Sequence, residues 1–279
     1  MNIKDILKLA LQEDLSKQGD ITSLAIIEEG AKGKAAIIIK DEGVIAGVQV
    51  ARETFLLVDK TLDFKEHKQD GDRCSYGETI ATITGDYRAI LAAERVALNC
   101  LQRMSGIANL TNKVIDKIKF SDAKILDTRK TTPNIRYLEK LAVVIGGGHN
   151  HRFGLYDMML IKDNHIDFAG SITKAIIKAN QYIQENNLSV AIEVETRNLD
   201  EIQEVLNVGR VNRIMLDNFD PANLAKGIKL INKQFETEAS GNITLDNIVE
   251  YAKCNPDYIS MGSLTHSVKS IDFSIKYKA

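Results

Sequence analysis

The chain has 279 residues, 44% apolar and 27% charged, with a formal net charge of -2. That balance fits an ordinary globular protein with room for one large α/β domain and a smaller one. It excludes a general nucleic-acid or membrane-surface binder, which needs a basic excess over a whole face.

The first residues, MNIKDILKLALQEDL, carry acids and no small-residue cleavage site follows, so they read as a helix over 3–15 and not as a signal peptide. GDIT at 19–22 reads as a turn. Residues 33–40 and 43–48 are short β-like runs, 48–59 a helix, and 61–66 and 78–84 strands again. Without a βαβ rhythm, this part reads as a small α+β domain, residues 1–110. From Tyr87 apolar residues recur at three- and four-residue steps through Ile90, Ala93, Ala97, Leu101 and Met104. They predict a long helix that ends or bends near Ser105-Gly106, followed by a second one to about Lys119.

Beyond Ser121 the rhythm changes. Strand-like runs at 124–128, 158–162, 190–195, 213–217, 235–240 and 257–262 alternate with helical segments at 134–145, 171–186, 198–208, 221–233 and 244–253. Such alternation predicts a parallel sheet covered by helices. Six or seven repeats over residues 111–279 fit a closed or nearly closed (β/α) barrel. A doubly wound sheet is the alternative, but no GxGxxG follows a strand.

Each run ends in a functional-looking group: Asp127-Thr128-Arg129-Lys130, Lys162-Asp163-Asn164-His165, Glu193 and Glu195, Asp217-Asn218, Ser240-Gly241-Asn242 and Gly262-Ser263. In a barrel, strand C-termini ring one mouth, where chemistry sits. Residues 127–166 alone hold six Lys/Arg, three of the five His and the only triple glycine. Arg129, Lys130, Arg152 and Lys162 together require an anion to answer them. Glu193, Glu195 and Asp217 suit magnesium or sugar hydroxyls. The small residues after the last two strands allow backbone N–H groups to approach a phosphate. His149-x-His151 resembles a zinc pair, but the flanking cations oppose it. Cys74, Cys100 and Cys254 are far apart, odd in number and form no CxxC, which suggests free thiols in a reducing cytoplasm. No apolar run approaches the ~18 residues of a membrane span.

DTRKTTP, EK-A, GGG-NHR, GL-D-LIKDNH, E-E, LDN, SGN, MGSLTHS and the ALN-L-R-SGIA of residues 97–108 resemble the quinolinate phosphoribosyltransferases over nearly the whole chain. The resemblance implies an N-terminal α/β sandwich domain joined to an α/β barrel. It implies transfer of phosphoribose from phosphoribosyl pyrophosphate to quinolinate with loss of carbon dioxide, a magnesium requirement, and homodimers with shared sites. Quinolinate would be held by Arg129, His151, Arg152 and Lys162, with Arg95 from the partner subunit, and Thr128 would be a further substrate-binding residue. Lys130 would face pyrophosphate or the ring carboxylate. Glu195 and Asp217 would address ribose hydroxyls or magnesium, which makes Lys130, Glu195 and Asp217 the catalytic set. Ser240, Gly241, Asn242, Met261, Gly262 and Ser263 would cradle the 5′-phosphate. His149 receives no role. Rival readings are a molybdenum-transport-associated relative of the same fold, a Schiff-base aldolase using Lys162, and a non-catalytic sugar-phosphate sensor.

Overall fold

The structure, a computed structural model, describes residues 2–278. In chain order its elements are α1 (Ile3–Leu15), α2 (Ile21–Ile26), β1 (Lys32–Ile39), β2 (Gly43–Val44), α3 (Val48–Val58), β3 (Asp63–Glu66), β4 (Arg73–Cys74), β5 (Thr79–Asp86) and α4 (Tyr87–Lys117). Next come β6 (Lys124–Leu126), α5 (Arg136–Ile145), β7 (Met158–Ile161), α6 (Asp163–Ala169), α7 (Ile172–Glu185), β8 (Ala191–Thr196) and α8 (Leu199–Val208). The last are β9 (Arg213–Asp217), α9 (Pro221–Ile231), β10 (Glu236–Ser240), α10 (Ile248–Ala252), β11 (Tyr258–Ser260), α11 (Ser263–His266) and β12 (Phe273–Lys278). Two compact units result: Met1–Asn112 with Thr131–Gly147 and Leu264–Ala279, and Lys113–Lys130 with Gly148–Ser263. Among the described residues, no helix is long and apolar enough to cross a membrane.

The first unit is built on an antiparallel sheet of order β12-β1-β5-β3, with a two-stranded β2-β4 ribbon. Ile37, Ile80 and Ile83 of that sheet pack with Phe55 of α3 and with Ile90, Leu98 and Leu101 of α4. This is a two-layer α/β arrangement around one core.

Three local expectations are corrected here. The residues read as a turn at 19–22 start a helix, because the Asp20 side chain accepts the Thr22 and Ser23 amides of α2 at 3.1 Å. The expected end or bend at Ser105-Gly106 does not occur, and α4 runs through it. Both residues serve close packing instead. Ser105 Oγ takes the Ala46 amide at 2.9 Å, and a Cβ on Gly106 would lie 2.5 Å from the Lys269 carbonyl oxygen. The third is β12, unexpected from sequence, which pairs with β1 from Lys34↔Lys278 to Ile39↔Phe273.

The second unit holds a six-stranded parallel sheet of order β6-β11-β10-β9-β8-β7. Each strand from β7 to β11 lies beside the next in sequence, and the first strand, β6, lies beside the last. A doubly wound sheet would reverse direction partway, so this circular order identifies a barrel. On the free side of β6, His149 makes a parallel bridge to Leu126, its amide donating to the Ile125 carbonyl at 2.8 Å. It supplies a one-residue seventh position before the chain leads into β7.

Candidate active site

The strand order sorts the mouth into two arcs. The end of β6 supplies Thr128, Arg129 and Lys130, the loop after the His149 bridge supplies His151 and Arg152, and the end of β7 supplies Lys162. That arc is cationic. The ends of β8 to β11 supply Glu195, Asp217, Ser240-Gly241-Asn242 and Met261-Gly262-Ser263, an arc of carboxylates and small residues.

Within the cationic arc, the Lys130 amide donates to Thr128 Oγ1 at 3.0 Å. Arg152 donates from Nη1 to the Met158 carbonyl at 3.2 Å. Burial lowers the Arg152 pKa, and the neighbouring Arg129 lowers it further. Two arginines that repel one another in a half-buried position are poised for an anionic ligand. The loop carrying Arg152 is set by carboxylates. Fully buried Asp127 accepts the His151 amide at 2.9 Å, and Asp157 accepts the Phe153 and Gly154 amides at 2.6 and 2.8 Å.

The arcs meet at Lys162, whose Nζ lies 3.4 Å from Glu195 Oε2. Burial raises the pKa of both Glu195 and Asp217, with Lys162 pulling each back down. Asp217 also senses Lys130 and bonds Ser240, its neighbour in register across β9 and β10. Next to it, Asn218 Nδ2 donates to Asp217 Oδ2 at 2.6 Å, and Asn218 Oδ1 accepts Asn242 Nδ2 at 3.0 Å. Gly241 adopts φ +92°, and a Cβ there would fall 2.2 Å from Asn218 Oδ1. Only glycine lets the SGN turn lie this close to the β9 end. Met261 is buried after β11, its amide bonded to the Leu126 carbonyl at 3.0 Å.

A carboxylate whose pKa is raised in the fold prefers to be protonated there. The stability it contributes is complete below its unfolded pKa and is lost as pH rises through the folded value. Asp217 therefore costs stability at neutral pH. Asp217→Asn is expected to raise the melting temperature by about 2–4 °C at pH 7.5. Calorimetry checks this; a melting point lowered at pH 7.5 would contradict it.

Beneath the mouth lies a cluster that sequence reasoning named only in part. His151 Nε2 sits 2.9 Å from Glu193 Oε2 and 3.4 Å from Glu238 Oε2, and Arg213 Nη1 donates to Glu238 Oε2 at 2.9 Å. Glu193 and Glu238 are wholly buried. Burial opposes a charge on His151 and the two carboxylates favour one, raising its pKa, while the Arg152 amide aimed at Nδ1 opposes a second hydrogen on the ring. Burial and Glu238 raise Glu193. The Arg152 amide donates to His151 Nδ1 at 2.7 Å, which favours a ring carrying its hydrogen on Nε2. The cluster thus holds one proton beyond the charge of Arg213, shared between His151 and Glu193, and two buried carboxylates are balanced. Glu238 and Arg213 escaped the sequence reading because they fall mid-strand and at a strand start; period-two alternation from Ser240 and Asp217 was the available signal.

Arg95 belongs to the first unit. It is exposed on α4 and lines a cavity of about 410 Å³ with Ile6, Ala10, Asn99, Arg103 and Leu138.

A family model described as quinolinate phosphoribosyl transferase, N-terminal domain, matches residues 20–105, and its C-terminal counterpart matches residues 107–276. A probable nicotinate-nucleotide pyrophosphorylase (carboxylating) of Bacillus subtilis is 43% identical, over 99% of this chain and 93% of its own. The chloroplastic nicotinate-nucleotide pyrophosphorylase (carboxylating) of Arabidopsis thaliana is 44% identical, over 99% of this chain and 82% of its own. The crystal structure of NadC from Streptococcus pyogenes superposes with a TM-score of 0.93 at 41% identity, covering 99% of this chain and 97% of that one. With both halves matched and relatives above 40% identity over nearly the full length, the chain belongs to the quinolinate phosphoribosyltransferase family.

Proposed function

We propose that the protein transfers the phosphoribosyl group of phosphoribosyl pyrophosphate to quinolinate and releases the 2-carboxylate as carbon dioxide, forming nicotinate mononucleotide and pyrophosphate in NAD biosynthesis. The carrying observation is the two-arc mouth, cationic on one side and carboxylate-and-glycine on the other.

Quinolinate is a dianion that the cationic arc suits. Arg129, Arg152 and Lys162 grip its carboxylates, with Thr128 and His151 alongside. This grip holds the ring nitrogen against the anomeric carbon, and the entropy of bringing them together is met by binding. The nitrogen–carbon bond forms as the bond to pyrophosphate breaks. Lys130 faces the negative charge gathering on pyrophosphate. Asp217 and Glu195 hold the ribose hydroxyls, and residues 240–242 and 261–263 receive the 5′-phosphate through backbone amides. Glu195 and Asp217, half-buried oxygen donors beside one another, also fit a magnesium ion, which when bound would neutralise pyrophosphate charge. After transfer the ring nitrogen is positive. The electrons of the breaking carbon–carboxylate bond are stabilised beside it, and that carbon then takes a proton.

The test is direct. Purified protein with both substrates and magnesium should yield nicotinate mononucleotide by chromatography, with turnover lost to a chelator and restored by magnesium. A folded sample yielding no product at any substrate concentration would contradict the reading.

We also place Arg95 in the mouth of a second copy, making the working unit a homodimer. Its support is an exposed guanidinium on a cavity wall, with no ion-pair partner among the described residues. Arg95→Ala should weaken quinolinate binding more than phosphoribosyl pyrophosphate binding in calorimetry; equal losses would remove it from this role. The cytoplasm suits the three free cysteines, whose thiols burial holds protonated, Cys74 and Cys100 up to about 11.

A further inference from the structure

We propose that Glu193 and Glu238 are positioning residues for the transfer reaction, clamping His151 from inside the barrel so that its other ring nitrogen fixes the Arg152 amide in the anion-binding mouth. The inference rests on the reaction proposed above and adds to it two residues that touch neither substrate.

The geometry forms a chain. Arg213 starts β9 and stacks its guanidinium over the Tyr258 ring, 3.8 Å from the centroid. Its Nη1 bonds Glu238 and its Nη2 lies 3.2 Å from Glu236 Oε2, so both β10 carboxylates are held on one side. Glu238 and Glu193 then converge on a single atom, His151 Nε2. Across the ring, Nδ1 accepts the Arg152 amide at 2.7 Å. His151 is thus flanked at both ring nitrogens, by the two carboxylates and by the Arg152 amide, and its own amide is bonded to Asp127. The His151 side chain is 6% exposed, so its contribution to the mouth is chiefly to orient its chain neighbour Arg152. The Arg152 guanidinium must meet a carboxylate in a fixed plane to make two parallel hydrogen bonds. Displacement of a few tenths of an ångström at His151 reaches that plane directly.

The same three side chains offer ligand atoms within 4.8 Å of one another, as a metal site would. Arg213 argues against an ion. It already bonds Glu238, one of the three candidate ligands, with a full positive charge, and the Arg152 amide occupies the other ring nitrogen.

The experiment uses the full chain, with turnover of the unmodified enzyme measured first. That measurement separates failure of the reaction from failure of this inference. Glu193→Gln and Glu238→Gln keep shape and remove the charge. Each is expected to raise the quinolinate KM at least tenfold while the phosphoribosyl pyrophosphate KM moves less than twofold. A merely structural role would move both constants together, or neither with only the melting temperature lowered; either result overturns the proposal. Should a variant not fold, nitrogen-15 spectra of the His151 ring in the unmodified enzyme decide. A hydrogen on Nε2 is expected, and a bare Nε2 overturns the clamp. A divalent metal retained stoichiometrically by the purified enzyme and lost in both variants would also overturn it.

Discussion

Arg152→Ala is expected to lower kcat/KM for quinolinate by about 10²–10³ and leave the phosphoribosyl pyrophosphate KM nearly unchanged. The backbone and side chain of Arg152 are both set by bonds, to His151 Nδ1 and to the Met158 carbonyl. Its charge is also held unfavourably, by burial and by Arg129. An anionic ligand relieves both penalties, so binding there is strongly coupled to the ligand's charge. Arg152→Lys should recover little, because an ammonium cannot make the paired bonds of a guanidinium. Steady-state kinetics with each substrate varied in turn checks this. A loss shared equally between the substrates would contradict the division of the mouth into two arcs.

Gly241→Ala is expected to do the reverse. The substitution demands a positive φ of a residue with a Cβ, which costs about 1–2 kcal/mol. It also drives that Cβ against Asn218 Oδ1 and the Asn218 amide nitrogen, 2.2 and 2.6 Å away. The SGN turn must then withdraw from the end of β9, separating the Asn242–Asn218 bond and the neighbouring Asp217–Ser240 pair. The phosphoribosyl pyrophosphate KM should rise at least tenfold, with the quinolinate Kd measured by calorimetry within twofold of the unmodified value. A variant with unchanged kinetics would show that the turn does not meet the sugar phosphate.

Much of the barrel was legible because most of its strands are short apolar runs ending in a polar group, β10 with Glu236 and Glu238 being the exception, and the structure places strands at all six stretches expected. The circular order could not be read from periodicity. It depends on β6 meeting β11, a pairing that links residues over 130 positions apart in sequence, Ser260 with Leu126 among them. In the first unit, Ser105-Gly106 misled because propensity treats serine and glycine as helix breakers, whereas here the missing side-chain bulk serves the approach of residues 269–270. The short α6 went unseen because its seven residues carry the site motif Asp163-Asn164-His165, whose polar composition hides any apolar face. Of the site, the mouth residues were visible as strand-end chemistry. The clamp below was not, since Glu238 and Arg213 gain meaning only when β8, β9 and β10 lie side by side.

Joining quinolinate to phosphoribose and expelling one particular carboxylate is a reaction that an isotope can follow. Quinolinate carrying carbon-13 only in its 2-carboxylate, turned over with phosphoribosyl pyrophosphate and magnesium, tests it most directly. All the label is expected to leave as carbon dioxide, one for each pyrophosphate released, and the nicotinate mononucleotide formed should be unlabelled. Label retained in the nucleotide, or carbon dioxide released without phosphoribosyl pyrophosphate, would contradict it.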